Sequence, residues 1–325
     1  MEEFLGAKTR SFNNIDLNLQ KGTLIKTSTN IDKFLSEIKW YLNIPSSLQY
    51  ALPRIFDYSL NKTKPFIKME YYSYKSLHEL FIKNNLSLEN WKQIFDILKM
   101  VNDEMKSFKT YNTEKIDTSL KEIYIHKTIN RLNQLKSQND FLIFFNNSII
   151  YNNKDYYSLS DIINIISSKD FYNKIIKSNN YFNIIHGDLC FPNILIDNNL
   201  KFIKLIDPRG EFGSYSIYGD NRYELAKILH SIDGCYDFII EDLFDIDIIN
   251  NKINIDFFIT SSYLPKLFKK CFNLSFNEFN EIKLIESLLF LSMIPLHSDN
   301  KNRQMAMLAI GTKLFYEAYN EYNIK

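Results

Sequence analysis

The chain has 325 residues, enough for one large domain or two lobes with ample core, and its 45% apolar and 24% charged residues are a globular composition. A net charge of +1 supplies no long-range field toward nucleic acid or a membrane surface, so neither is expected as a partner. Three cysteines (Cys190, Cys235, Cys271) with no CxxC spacing argue against a disulfide frame or a zinc site and fit reduced thiols in a cytoplasmic protein.

The start, MEEFLGAKTR, has no apolar signal-peptide core. Phe12, Ile15, Leu17 and Leu19 then include period-two alternation, Lys21-Gly22 makes a turn, and residues 23–27 read as a second strand carrying Lys26. Residues 31–42 place Phe34, Leu35, Ile38, Tyr41 and Leu42 at helical spacing, with Pro45 as the stop. Glu37 lies in that helix, either facing Lys26 or as an exposed partner of its lysine neighbours Lys33 and Lys39. Residues 53–58 and 66–71 read as two further strands, and a helical segment begins at Ser76. Residues 1–75 thus form a strand-rich lobe and 76–325 a second, mainly helical one.

In the second lobe, Ser87 caps a helix running to Lys106, and another covers 114–136, where His126 reads as a surface or packing residue. A small hairpin is expected around Asn152-Asn153-Lys154, then a helix capped by Ser160. Later helices are expected near 223–231, 233–244, 276–294 and 303–322. The longest apolar run, 288–296, is interrupted by Ser292 and Pro295 and is too short to span a bilayer.

The most informative stretch is 183–213, NIIHGDLCFPNILIDNNLKFIKLIDPRGEFG. Asn193 follows Asp188 by five positions and Asp207 follows it by nineteen, each beside a short apolar run that reads as a strand. Asp197-Asn198-Asn199 makes the turn between the last two strands, with residues that tolerate positive φ. This brings three oxygen-bearing side chains to one end of a hairpin. Phosphoryl transfer needs such a set: a carboxylate to accept the proton of the attacking hydroxyl, and an Asn and a second Asp to hold Mg²⁺ against the phosphates. His186, Gly187, Asp188 and Asn193 fit the kinase pattern H-x-D-x-x-x-x-N without a gap. The bland alternative is three polar residues at turns and strand ends, and the joint spacing tells against it.

HGDxxxxN, with Gly where protein kinases carry Arg, resembles the aminoglycoside phosphotransferase and choline kinase superfamily. Asp207-Pro208-Arg209-Gly210 stands where protein kinases have D-F-G, and with the following GDNRYELAK it is more similar to small-molecule kinases of bacterial surface-polysaccharide pathways, capsular polysaccharide among them. The resemblance implies a bilobal, protein-kinase-like α+β fold, with Mg²⁺ and ATP (or GTP) as cofactors and a small-molecule hydroxyl as acceptor. Asp188 is then the catalytic base, with Asn193 and Asp207 as metal ligands. Lys26, held by Glu37, is the lysine on the phosphates, although no G-x-G-x-x-G marks the covering loop. Met69, Glu70, Tyr71 and Tyr72 fall at the adenine-binding hinge.

Several residues around this set are open to more than one reading. His186 is expected to fix the loop by hydrogen bonding rather than to transfer protons, and Gly187 to permit strained backbone. Arg209 either pairs with Glu211 or reaches a phosphate. Asp220 either caps the next helix or steadies the catalytic loop, as the resemblance implies. His297 and Asp299 either reach a substrate or, for Asp299, cap the last helix. The short segment after Asp207, with no A-P-E, disfavours a peptide substrate. Six acids between 228 and 251 (Asp233, Asp237, Glu241, Asp242, Asp245, Asp247) form either a cation-binding wall or a solvated face. The acceptor expected is a sugar or sugar-like alcohol. The alternatives are an aminoglycoside or amino alcohol of the choline or ethanolamine type and, in another class, a nucleotide-binding protein without catalysis.

Overall fold

The computed structural model describes residues 13–177, 180–258 and 262–323. Phe12 and the MEEFLGAKTR start lie outside the described residues. The fold is α+β, with an antiparallel sheet toward the N-terminus and largely helical structure toward the C-terminus. The chain packs as two compact units, Met1–Thr110 with Phe182–Glu224 and Tyr111–Tyr181 with Leu225–Lys325. The expected lobe boundary at 75 falls inside the first unit.

In the first unit, β1 (Asn13–Asn18) and β2 (Thr23–Ser28) form the expected hairpin, with Ile15 opposite Lys26. Helix α1 (Ile31–Asn43) follows, burying Phe34, Leu35, Glu37, Ile38, Trp40 and Tyr41. It stops at Ile44, held extended by the proline after it. Strands β3 (Ile55–Ser59) and β4 (Phe66–Glu70) complete a four-stranded antiparallel sheet in the order β1-β2-β4-β3. Next come β5 (Lys75–Ser76), α2 (Leu77–Ile82, capped by Ser76), α3 (Leu88–Ser107) and β6 (Lys109–Thr110). A capping box of Ser87 and Asn90 starts α3.

The 183–213 stretch supplies the other strands. Strand β7 (Phe182–Ile184) pairs with β6, while β8 (Ile194–Ile196) pairs with both β5 and β9 (Ile203–Leu205). Strand β10 (Tyr218–Gly219) joins β7, and α4 (Asn221–Ile232) follows. The β8/β9 turn corrects one expectation: the left-handed residue is Leu200 (φ +56°), not an asparagine. The Asp197 carboxylate dictates this by accepting the backbone N–H groups of Asn199, Lys201 and Phe202 at 2.7–3.1 Å. Before β8, one helical turn (Phe191–Asn193) is anchored by Phe191, which stacks on Trp91 of α3 and meets Phe81 of α2 edge-on.

The second unit is mostly helical. Residues 113–135 are continuously helical with a π segment at Lys121–His126, whose His126 is exposed. The hairpin of strands Ile149–Tyr151 and Lys154–Tyr156 turns on Asn152 and Asn153, both at positive φ. Ser158, not Ser160, caps the helix Leu159–Ile166, because Asp161 three residues into it returns the hydrogen bond. The helix expected over 233–244 is only Tyr236–Ile240; strands Phe244–Ile249 and Lys252–Phe257 follow as a hairpin. Helix Leu264–Cys271 was not anticipated, whereas Phe276–Met293 and Lys301–Asn323 match the two long helices expected. Among the described residues no helix is long and apolar enough to cross a membrane.

Candidate active site

Lys26 points inward from β2 with its side chain 4% exposed. A lone ammonium there would be driven toward neutrality, but two carboxylates answer it. Its Nζ lies 2.8 and 2.9 Å from the two oxygens of Glu37 on α1 and 2.9 Å from Oδ1 of Asp207. Burial alone would lower the Lys26 pKa, yet the negative charges of Asp207 and Glu37 together outweigh it and raise the pKa above the ordinary lysine value. Glu37 is itself buried, so the exposed reading beside Lys33 and Lys39 is excluded.

Asp207 follows β9 in the left-handed conformation (φ +56°), uncommon for a non-glycine residue, with its side chain 46% exposed. Its flanks are fixed on all sides. Ile206 donates to the Asn193 carbonyl at 3.0 Å, and Arg209 donates from its backbone to the His186 carbonyl at 2.9 Å. Gly210 (φ +73°) lies so close to α1 that a Cβ would sit 2.3 Å from the Ser36 carbonyl oxygen and 2.7 Å from the Glu37 amide. Only glycine fits, so the last residue of D-P-R-G is the contact by which this segment seats on the helix that carries Glu37.

His186 ties the two acidic segments together. Its ring is fully buried, with Nε2 2.9 Å from the Ile206 carbonyl and Nδ1 3.3 Å from the Asp188 backbone N–H. The tautomer with its proton on Nε2 satisfies both contacts. Burial pushes the pKa down to about 4, against the opposing charge of Asp188, so the ring is neutral near pH 7 and holds the loop rather than moving protons. Trp40 of α1 meets this ring edge-on and donates its indole N–H to the Ile185 carbonyl at 2.7 Å. Gly187 needs its positive φ (+80°), and a Cβ there would press on the Arg209 Cβ at 2.9 Å.

Asn193 donates through Nδ2 to the Asp188 carbonyl at 2.8 Å and lies 3.4 Å from the Asp188 carboxylate. With its amide nitrogen used this way, its Oδ1 is left as an oxygen donor. Asp207 and Asn193 therefore offer two hard oxygen ligands, which fits Mg²⁺, a cation that takes its remaining ligands from water and phosphate. Among the described residues no group of three or more His, Cys, Asp or Glu could hold a metal ion unaided.

Two carboxylates near the start of α4 have different partners. Asp220 precedes α4, accepts the Arg222 backbone N–H at 3.0 Å and pairs with the Arg222 guanidinium at 2.8 Å. Glu224, one turn further on and fully buried, accepts the backbone N–H groups of His186 (2.8 Å) and Gly187 (2.7 Å). Sequence reasoning missed Glu224 and Trp40. The available signal was an acid and an indole on otherwise apolar helix faces, each needing a partner when buried.

The other expected residues divide. Arg209 turns to the Tyr223 hydroxyl at 3.0 Å, and among the described residues no ion pair with Glu211 is formed. In the expected hinge, Met69 is buried, while the Glu70 and Tyr71 amides already donate to the Arg54 and Gly22 carbonyls. No backbone hydrogen bond engages Tyr72 among the described residues; its hydroxyl donates to Glu70 and its ring lies over the Lys204 ammonium. His297 and Asp299 belong to the second unit, and the cap of the last helix is Asn300, whose Oδ1 accepts the Arg303 backbone N–H at 3.2 Å.

No family model matches the sequence, and no curated protein matches it. Solved structures do match its fold. The GDP complex of aminoglycoside 2'-phosphotransferase-IIIa superposes with a TM-score of 0.57 at 11% identity, covering 97% of this chain and 92% of that one. This chain has the protein-kinase-like fold of the aminoglycoside phosphotransferases. ADP-bound aminoglycoside phosphotransferase APH(2'')-Ib gives 0.54 at 14% identity over 96% and 92% of the two chains. The streptomycin–ATP complex of APH(2'')-IIa gives 0.51 at 12% over 95% and 91%. At such identities the likeness is one of fold, and none of these three is a surface-polysaccharide kinase.

Proposed function

We propose that this chain is a Mg²⁺-dependent kinase that transfers the γ-phosphoryl group of ATP or GTP to a hydroxyl of a small polar molecule. The acceptor is a sugar or sugar-like alcohol destined for surface-polysaccharide synthesis in the cytoplasm. The observation that carries the kinase reading is the buried Lys26, bonded to both Glu37 and Asp207, beside a loop that His186 ties to the residue before Asp207.

Each residue has one task. Lys26, oriented by Glu37, presents its ammonium to the phosphates of the donor. Asp188, fixed through its backbone by His186 and Asn193, orients the acceptor hydroxyl and takes its proton as the O–P bond forms. Asn193 and Asp207 hold the metal. Mg²⁺ held there would supply positive charge against the negative charge that gathers on the transferring group. Glu224, by clamping the His186 and Gly187 amides, keeps Asp188 in register with Asp207, which is positioning rather than chemistry.

A polycationic acceptor needs several unpaired carboxylates, and the acid-rich segment is poor in them. Asp233 pairs with Lys283 at 3.1 Å, Asp242 pairs with Arg303 at 2.7 Å, and Asp237 is wholly buried. Asp245 and Asp247 lie on a strand rather than a helix. These pairings, with D-P-R-G, favour the neutral acceptor over an aminoglycoside or an amino alcohol.

The test is a screen of sugars, sugar alcohols, amino alcohols and aminoglycosides for acceptor-dependent nucleoside diphosphate release, with phosphorus NMR to locate the new ester. Turnover on a sugar or polyol, with a KM insensitive to salt, is the expected result. Turnover confined to kanamycin-like compounds overturns the acceptor alone. Nucleotide binding with no turnover on any acceptor overturns the kinase reading and leaves a binding protein.

A further inference from the structure

Arg209, the arginine of D-P-R-G, is held along its whole length and yet keeps most of its hydrogen-bonding capacity unused. Its backbone N–H donates to the His186 carbonyl at 2.9 Å. Its stem runs over Gly187, where a Cβ would lie 2.9 Å from the arginine Cβ and 3.6 Å from its Cδ. Its guanidinium donates through Nη1 to the Tyr223 hydroxyl of α4 at 3.0 Å. The side chain is thus laid along the residue next to Asp188. A guanidinium carries several N–H donors in a planar fork. Among the described residues, Tyr223 is the one partner this fork has, and no carboxylate pairs with it. The residue is half-buried, and none of its nitrogens is sealed from solvent without a partner, so the unused N–H groups are accessible. The charges placed around the loop leave room for an anion there. Lys26 is shared between Glu37 and Asp207, and the 186–193 loop, HGDLCFPN, contains no lysine or arginine. Arg209 is the cation beside Asp188 that no carboxylate offsets.

We propose that Arg209 is a catalytic residue whose unused guanidinium N–H groups donate to the oxygens of the phosphoryl group as it passes from the nucleotide to the acceptor hydroxyl at Asp188. The role rests on the kinase reading and adds to it the group that answers the transition-state charge. As the new O–P bond forms and the bond to the nucleoside diphosphate breaks, negative charge is spread over the equatorial oxygens of the transferring group. A planar fork meets two such oxygens at once, which a single ammonium does not. The guanidinium keeps its proton throughout, so the proton of the acceptor goes to Asp188. Tyr223 sets the angle of the fork, and Gly187 leaves the space in which its stem lies.

The experiment is Arg209→Met, which keeps a stem over Gly187 and removes the fork. Binding of ADP or GDP is measured in Mg²⁺ with and without aluminium fluoride, which stands in for the planar phosphoryl group. Wild type is expected to hold the diphosphate ~100-fold tighter with the fluoride, as transition-state analogues do. Arg209→Met is expected to bind the diphosphate alone as wild type does and to lose most of that gain. Its turnover on the acceptor found by the screen should fall ~10³-fold, the scale for an arginine on a transferring phosphoryl group, with the acceptor KM little changed. Arg209→Lys keeps the charge without the fork and should recover only part of the loss. A purely structural arginine would lower the melting temperature and the diphosphate affinity together and leave the fluoride gain intact. A full fluoride gain in Arg209→Met overturns the role and spares the kinase reading. A wild-type protein that gains nothing from the fluoride also overturns the role, and one that binds no nucleotide overturns both.

Discussion

Lys26 in the first unit and Glu286 in the second are both shielded from solvent, yet one is held charged and the other is pushed toward its neutral form. Lys26 meets carboxylates on two elements within 2.9 Å. Glu286, on the helix Phe276–Met293, has both oxygens buried without a hydrogen bond, and burial followed by the charge of Asp233 pushes its pKa well above the carboxylate range. The nearby cation Lys283 is already engaged by Asp233 at 3.1 Å. A buried ion persists where partners reach it from separate elements and gives way to the neutral form where they do not. The charged cluster therefore has a geometry to keep, and the neutral one does not.

Breaking the chemistry of the charged cluster should have the largest effect. Asp188→Ala is expected to cut turnover by ~10²–10⁴, about 3–5 kcal/mol of barrier, with little change in nucleotide affinity because this carboxylate serves the acceptor. Steady-state kinetics and a nucleotide titration check it. Near-normal turnover in a folded Asp188→Ala protein would sink the assignment.

Breaking the pairing comes next. Lys26→Met strands the Glu37 carboxylate in the interior, and the loss is expected to be ~3–5 kcal/mol of stability. The double variant Lys26→Met/Glu37→Met removes both charges and should recover part of it, since apolar replacement of a buried pair is tolerated better than halving it. Urea midpoints of the two variants decide the matter. A double variant no more stable than Lys26→Met would mean the charges are not coupled as the 2.8 Å contact implies.

His186 provides a pH test. Its folded pKa of about 4 lies below the ordinary 6.5, so the folded protein holds the neutral ring while the unfolded chain protonates first. The stability this gives is present in full above pH 6.5 and is lost as pH falls through about 4, a change of ~3 kcal/mol at most. The imidazole resonances of His186 should hold their neutral positions from pH 8 to pH 5. A midpoint near 6.5 would show a solvated ring and a loop held by something else.

Much of the first unit was legible because its signals are local. Alternation from Ile15 to Leu19, the helical spacing of Phe34 to Tyr41 and the HGDxxxxN loop each depend on neighbours in sequence. What escaped depends on approach from afar. Nothing in the sequence of α4 says that Glu224 faces the catalytic loop, since the partners it takes lie 37 and 38 positions away. The role of Gly210 is set by the backbone of α1, 174 positions from Ser36 to Gly210, and the indole of Trp40 reaches Ile185 across 145. In the second unit, residues 244–249 alternate acid and apolar as FDIDII, a strand pattern, but the apolar run before them carries the expected helix on to 244.

The smallest expected effect belongs to the neutral cluster. A carboxyl already protonated in the fold is nearly matched in shape and polarity by its amide, so Glu286→Gln should change stability by about 1 kcal/mol or less near pH 5. The difference then acquires a direction. Because the folded pKa is raised, the favourable contribution of Glu286 is present in full below the ordinary carboxylate value of 4.5 and is lost as pH rises through the folded pKa. The amide does not titrate, so Glu286→Gln should gain on wild type steadily as pH rises, and its thermal transition should become the higher of the two at alkaline pH. Paired melts at several pH values measure this. A variant weaker than wild type by several kcal/mol at every pH would mean that Glu286 is ionised and paired. The contrast with Lys26 would then be void, since both units would hold their buried charges in the same way.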